Sequence, residues 1–160
     1  ISLKNCLPIP KSTQKPGIPV IVGGGGPKRT PYLAARFADE FNLPFSSPDN
    51  FQAQVNRVKG ACETIGRDPN SLTYSVAQVL CVGESEDELN RRASSIGREL
   101  SDLIENGVAG TLDQARARIQ AFHDVGATRI YLQVLDEDDL DHISLLSKLL
   151  TDFQQVETNA

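Results

Sequence analysis

Four consecutive glycines, Gly23 to Gly26, followed by Pro27, Lys28, Arg29 and Thr30, stop the apolar run Ile18-Pro19-Val20-Ile21-Val22. These residue types suit the binding of an anion. Glycines let the backbone approach a ligand with its N–H groups uncovered, and Lys28 and Arg29 add positive charge beside them. The β-branched run reads as a buried strand and the periodic segment Tyr32 to Phe41 as a helix, so the glycines stand where a strand hands over to a helix N-terminus. Neither common phosphate fingerprint fits. A Walker loop needs glycine directly before lysine, where Pro27 stands, and the G-x-G-x-x-G spacing puts other residues, Arg29 among them, where its third glycine belongs. A tight turn that binds nothing is the competing reading.

Other groups that could do chemistry have plainer explanations. His123 comes late in a helix, where an imidazole suits the negative end of the dipole, and His142 lies in the first turn of the last helix. Asp136, Glu137, Asp138 and Asp139 have the composition of a cation site, but acidic residues at a helix start are accounted for by capping, so no metal site is assigned. Cys6, Cys62 and Cys81 are odd in number and widely spaced, which gives neither a disulfide framework nor metal-ligand spacing and suits a reducing cytoplasm. Cys81 ends a strand, as a buried structural thiol would.

The elements that must hold these residues follow from periodicity. Residues 1–17, with Pro8, Pro10 and Pro16, form an extended lead-in. The first strand is Pro19 to Val22, and its helix begins with either Gly26 or Thr30 as N-cap, since a proline follows each. Phe41 to Phe45 is a second strand. Asp49 then caps a helix whose inner face carries Phe51, Val55, Val58, Cys62 and Ile65, ended by Gly66. Leu72 to Val82 is the third strand, and Glu84 to Ile104 one charged helix. Asn106 to Gly110 reads as a loop, and Thr111-x-x-Gln114 as a capping box for a helix with Ala115, Ile119 and Phe122 inside. Residues 127–135 form the fourth strand, with Arg129, Tyr131 and Gln133 on one face and Ile130, Leu132 and Val134 on the other. A last helix from Asp139 to Phe153 turns Leu140, Ile143, Leu146, Leu149 and Leu150 inward, and 154–160 fray.

Four strand–helix alternations with connections of helical length call for parallel strands. A small doubly wound sheet and four units of a (β/α)8 barrel both satisfy that. A polar strand face made by Asn42, Gln78, Tyr131 and Gln133 favours the barrel, whose inward face is polar near the rim. A full barrel takes about 250 residues, and this chain has 160, with 39% apolar content and a net charge of −5. It therefore reads as an α/β chain, residues 18–153 forming the C-terminal half of a TIM barrel as four βα units, whose N-terminal half is absent. The absence of methionine agrees with a missing upstream part. Nothing basic enough for nucleic acid appears, and no apolar stretch is long enough to span a membrane.

The segments Gln14-Lys15-Pro16, Gly23 to Thr30, Leu33-Ala34-Ala35-Arg36-Phe37-Ala38-Asp39-Glu40-Phe41-Asn42, Ile65 to Pro69, Gly110-Thr111-x-x-Gln114 and Gly126 to Leu132 together resemble the second half of the luciferase-like flavin and deazaflavin oxidoreductases. The glycine and Ala-Ala-Arg-x-Ala-Asp patterns are most similar to members that use coenzyme F420, with FMN members second. The resemblance implies a (β/α)8 barrel, of which these strands are five to eight, with its cofactor at the C-terminal rim and hydride transfer to or from a small-molecule substrate. It also implies that Gly25, Gly26, Pro27, Lys28 and Arg29 hold the cofactor phosphate, with Asn42 and Leu43 lining the same site. Pro31 departs from the leucine typical of the family. The family's proton-transfer groups lie in the first barrel half, so no catalytic residue is assigned and the chain alone is expected to be inactive. Its open edges call for the missing half or a second copy, as in a homodimer. A non-catalytic, self-associating half-barrel is the alternative.

Overall fold

A computed structural model of the chain describes residues 10–157; Cys6, most of the expected lead-in and the last three residues of the expected tail lie outside them. Five strands form one parallel sheet: β1 (Ile21–Gly23), β2 (Glu40–Pro44), β3 (Thr73–Val82), β4 (Val108–Gly110) and β5 (Arg129–Gln133). The helices between them are α1 (Arg29–Phe37), α2 (Pro48–Thr64), α3 (Glu86–Ser95), α4 (Leu100–Asn106), α5 (Leu112–Asp124) and α6 (Leu140–Glu157). β3 is the spine. Its first half pairs with β2 through Glu40↔Thr73 to Pro44↔Ala77 and with β5 through Ser75↔Arg129 to Val79↔Gln133, while Leu80 to Val82 run on to pair with β4. β1 adds to the far edge of β2.

One apolar layer lies between the sheet and α1, α2 and α5, around Phe41, Phe51, Val58, Val76 and Phe122, all fully buried. Phe51 and Phe122 meet edge to face, with centroids 6.1 Å apart. Leu80 and Val82 pack with α5 and α6, whereas the alternating Val79 and Cys81 pack with α3 and α4. The C-terminal end of β3 is thus covered on both faces.

Several elements differ from their sequence reading for local reasons. The expected single helix over 84–104 is two, because Gly97 takes φ +65° and Arg98 N–H closes back on the Ala93 carbonyl. The expected loop over 106–110 contains β4, a pairing set by the unusual length of β3 rather than by any local pattern. α2 is capped by Ser47, not Asp49: the Ser47 Oγ accepts from Asn50 N–H and Pro48 fills the first position. Ile65 ends that helix half exposed instead of facing inward. α6 continues through Glu157, past the expected end at Phe153, and its inner stripe is His142, Leu145, Leu146 and Leu149, leaving Leu140 and Ile143 outward. The capping box is formed as read: Thr111 Oγ1 accepts from Gln114 N–H and the Gln114 side chain accepts from Thr111 N–H.

Candidate functional site

The glycine corner follows the C-terminal end of β1 and is open to solvent rather than covered by side chains. Its helix starts between the two expected N-caps, with Lys28 as N-cap and Pro31 in the third position, where an N–H has no intrahelical partner to lose. α2, α3 and α5 each receive a hydroxyl cap, from Ser47, Ser85 and Thr111. α1 has no side-chain cap and no acidic residue in its first turn.

The glycines have different duties. Gly24 adopts φ +126°, which a side chain would strain, and its N–H is bound by the Asn42 carbonyl at 3.2 Å. A Cβ on Gly26 would come within 3.0 Å of Thr30 Oγ1, whereas one on Gly25 would meet only Leu43 Cδ1 at 3.7 Å. Among the described residues the N–H groups of Gly25, Gly26 and Lys28 have no hydrogen-bond partner. Lys28 and Arg29 are exposed and have no ion-pair partner there either. The corner therefore offers donors and positive charge together, which is what an oxyanion group requires.

Of the other residues expected at this site, Leu43 is buried beneath Gly25. Asn42 supports the corner through its carbonyl, while its side-chain Nδ2 donates to Ser75 Oγ at 2.9 Å on the sheet's uncovered face. A pocket of about 330 Å³ opens between Gly25, Leu43, Pro44 and helix α2, with Gln54 and Arg57 on its helical wall.

The uncovered sheet face has its own polar network. Glu40 is buried and accepts from Ser75 Oγ at 2.5 Å and Tyr131 Oη at 2.9 Å, and it pairs with Arg129. Tyr131 and Gln133 share this face with Asn42, as expected, but Gln78 does not. The register places Gln78 opposite Leu132, on the helix-covered face, where its amide donates to the Ser46 carbonyl at 2.8 Å. The face of Gln78 follows from the register of β3 against β2 and β5, which no local pattern carries.

The remaining candidates are structural. Burial pushes the thiols of Cys62 and Cys81 up, away from the reactive thiolate. Asp139 Oδ1 accepts from His142 N–H at 2.8 Å at the start of α6, and Asp136 accepts from Ser95 Oγ. Asp139 also binds the buried Arg92, whose guanidinium holds that carboxyl well below the ordinary carboxylate range. His123 is exposed in the last turn of α5. No group of metal-ligating side chains converges among the described residues.

A family model described as luciferase-like monooxygenase matches residues 2–105. No curated protein sequence gives a significant match. Among solved structures, the chain is similar to an F420-dependent secondary alcohol dehydrogenase in complex with an F420–acetone adduct (TM-score 0.71, 14% identity, 84% of this chain and 48% of that one). It is also similar to the EDTA monooxygenase of Chelativorans sp. BNC1 (0.67, 18%, 93% and 47%). A third is the oxygenating constituent of 3,6-diketocamphane monooxygenase from Pseudomonas putida, in complex with FMN (0.54, 15%, 77% and 44%). The chain spans about half the length of these structures. Its parallel strands and covering helices are the C-terminal half of a TIM-barrel fold. The chain belongs to the luciferase-like monooxygenase family.

Proposed function

We propose that this chain supplies the phosphate-holding corner of an F420-dependent oxidoreductase, with FMN as the alternative cofactor. The observation that carries this is the uncapped start of α1, where the N–H groups of Gly25, Gly26 and Lys28 are unpartnered among the described residues and lie beside two exposed cations. These residues fit a phosphate: main-chain donors set direction, and the Lys28 and Arg29 side chains, with Pro27 fixing the approach to the helix, set charge. Leu43 and the Asn42 carbonyl hold the corner from below. When bound, the cofactor supplies a ring that carries hydride to or from a small-molecule substrate. This chain's residues bind and orient its phosphate end, and none of them is assigned a proton-transfer role, so the chain by itself is inactive.

The uncovered sheet face supports a second part of the proposal. Ile21 and Tyr131 are exposed on it, and the edge of β1 is unpaired among the described residues. We place the other half of the barrel, or a second copy of the chain, against this face. Free Cys62 and Cys81 suit the reducing cytoplasm, where we place the protein. Titration with F420 and with FMN, followed by quenching of cofactor fluorescence, tests the cofactor assignment. Saturable quenching by one of them is expected, and no quenching by either overturns it in favour of a non-catalytic module.

A further inference from the structure

Gln54 is buried on α2, a polar residue among Phe51, Val55 and Val58 on a helix face that is otherwise apolar. Its side chain crosses to the glycine corner. Nε2 donates to the Gly26 carbonyl at 2.9 Å and lies 3.5 Å from the Gly24 carbonyl, while Oε1 accepts from Arg57 Nη1 at 2.7 Å. The orientation of this amide is fixed by chemistry: a guanidinium can only donate and a carbonyl can only accept, so a flipped amide would lose both sets of partners.

We infer that Gln54 is a positioning residue that keeps the corner's N–H face turned toward the anion. Glycine peptides reorient at little steric cost because both signs of φ are open to them. A reoriented peptide would present a carbonyl oxygen, with its negative partial charge, where the anion must sit. In a trans peptide the C=O of Gly24 and the N–H of Gly25 point in opposite directions. Holding the Gly24 oxygen toward α2 therefore leaves the Gly25 N–H directed away from it, and holding the Gly26 oxygen there keeps that carbonyl, whose peptide ends at Pro27 and carries no N–H, out of the anion's place. Arg57 acts one step further back, by keeping the amide's donor end toward the corner.

This inference rests on the reading that the corner holds a phosphate, and the experiment separates the two. Dissociation constants of the full chain are measured for FMN against riboflavin, and for F420 against its phosphate-free deazaflavin, in the wild type, Gln54→Glu and Gln54→Met. Gln54→Glu keeps the shape and the Arg57 partner but cannot donate to the carbonyls; Gln54→Met keeps the length with no polar atom. A general loss of structure weakens both members of a pair equally, so the ratio between them isolates the corner. The wild type is expected to prefer the phosphorylated member. Both variants should lose about tenfold of that preference while the phosphate-free member binds as before. If the wild type shows no preference, the phosphate reading itself fails and the inference goes with it. If the wild type prefers the phosphorylated member and either folded variant keeps that preference in full, the inference is overturned while the phosphate reading stands. Should Gln54→Met fail to fold, Gln54→Leu takes its place as the uncharged variant, because the carboxylate of Gln54→Glu would itself repel a phosphate.

Discussion

Each glycine of the corner answers to a different constraint, and substitution should separate them. Gly24 needs its left-handed φ of +126°, so Gly24→Ala should cost about 1–2 kcal/mol in denaturant unfolding and loosen the corner. Gly25 has room for a methyl group beside Leu43 Cδ1, so Gly25→Ala should change stability by no more than about 0.5 kcal/mol. That methyl group would point at Leu43 beneath the corner and leave the Gly25 N–H uncovered, so the same variant should keep the wild-type preference for FMN over riboflavin. A stable Gly25→Ala protein that loses that preference would show that the phosphate approaches from the Leu43 side instead. The glycines and flanking cations were legible in the sequence because residue type alone announces them. The division of duties was not, because it depends on Asn42 and Thr30 reaching the corner from other segments.

Among the elements, α6 shows how one polar group can set the phase of a helix. Asp139 binds the first-turn N–H of His142, and His142 Nε2 then accepts from the Val82 N–H at 3.1 Å, beyond the point where β5 stops pairing with β3. That contact turns Leu145, Leu146 and Leu149 inward and leaves Leu140 and Ile143 outside, where a count of apolar residues alone had placed them on the inner side. Accepting this bond requires neutral imidazole, and burial together with the nearby Arg92 holds the His142 pKa below its ordinary 6.5. The unfolded chain therefore takes up the proton first. Stability should be full above about pH 6.5 and fall as the pH drops below it. Asp139, whose carboxyl titrates below its ordinary 3.8, contributes a second loss only at more acid pH. Denaturant unfolding between about pH 7.5 and pH 5.5, about one unit on either side of the unperturbed histidine value, should show the first slope in the wild type. His142→Gln should flatten it, and an unchanged slope would locate the titration in another group.

Strand membership followed local rules well. Alternation in β5, the capping box of α5 and the glycine stop of α2 all stand as the sequence reads. What local pattern could not carry was pairing at a distance. β4 exists because β3 outruns its neighbours, Gln78 faces the helices because register counts from β2 and β5, and the Gln54 contact joins two segments 28 and 30 residues apart.

At the scale of the whole molecule, the sheet is covered by helices on one face, and along most of its length the other carries the Glu40, Ser75, Arg129 and Tyr131 network with exposed Ile21. An unpaired edge and an uncovered face make association the expected state. Sedimentation of the chain should show a concentration-dependent dimer or larger species, and a monodisperse monomer over the accessible concentration range would refute that expectation. The corner's role can be tested most directly by backbone amide NMR of the chain titrated with FMN and, separately, riboflavin. The account predicts that the Gly25, Gly26 and Lys28 amide signals shift with FMN and stay in place with riboflavin. Equal shifts with both, or shifts confined to residues away from the corner, would contradict it.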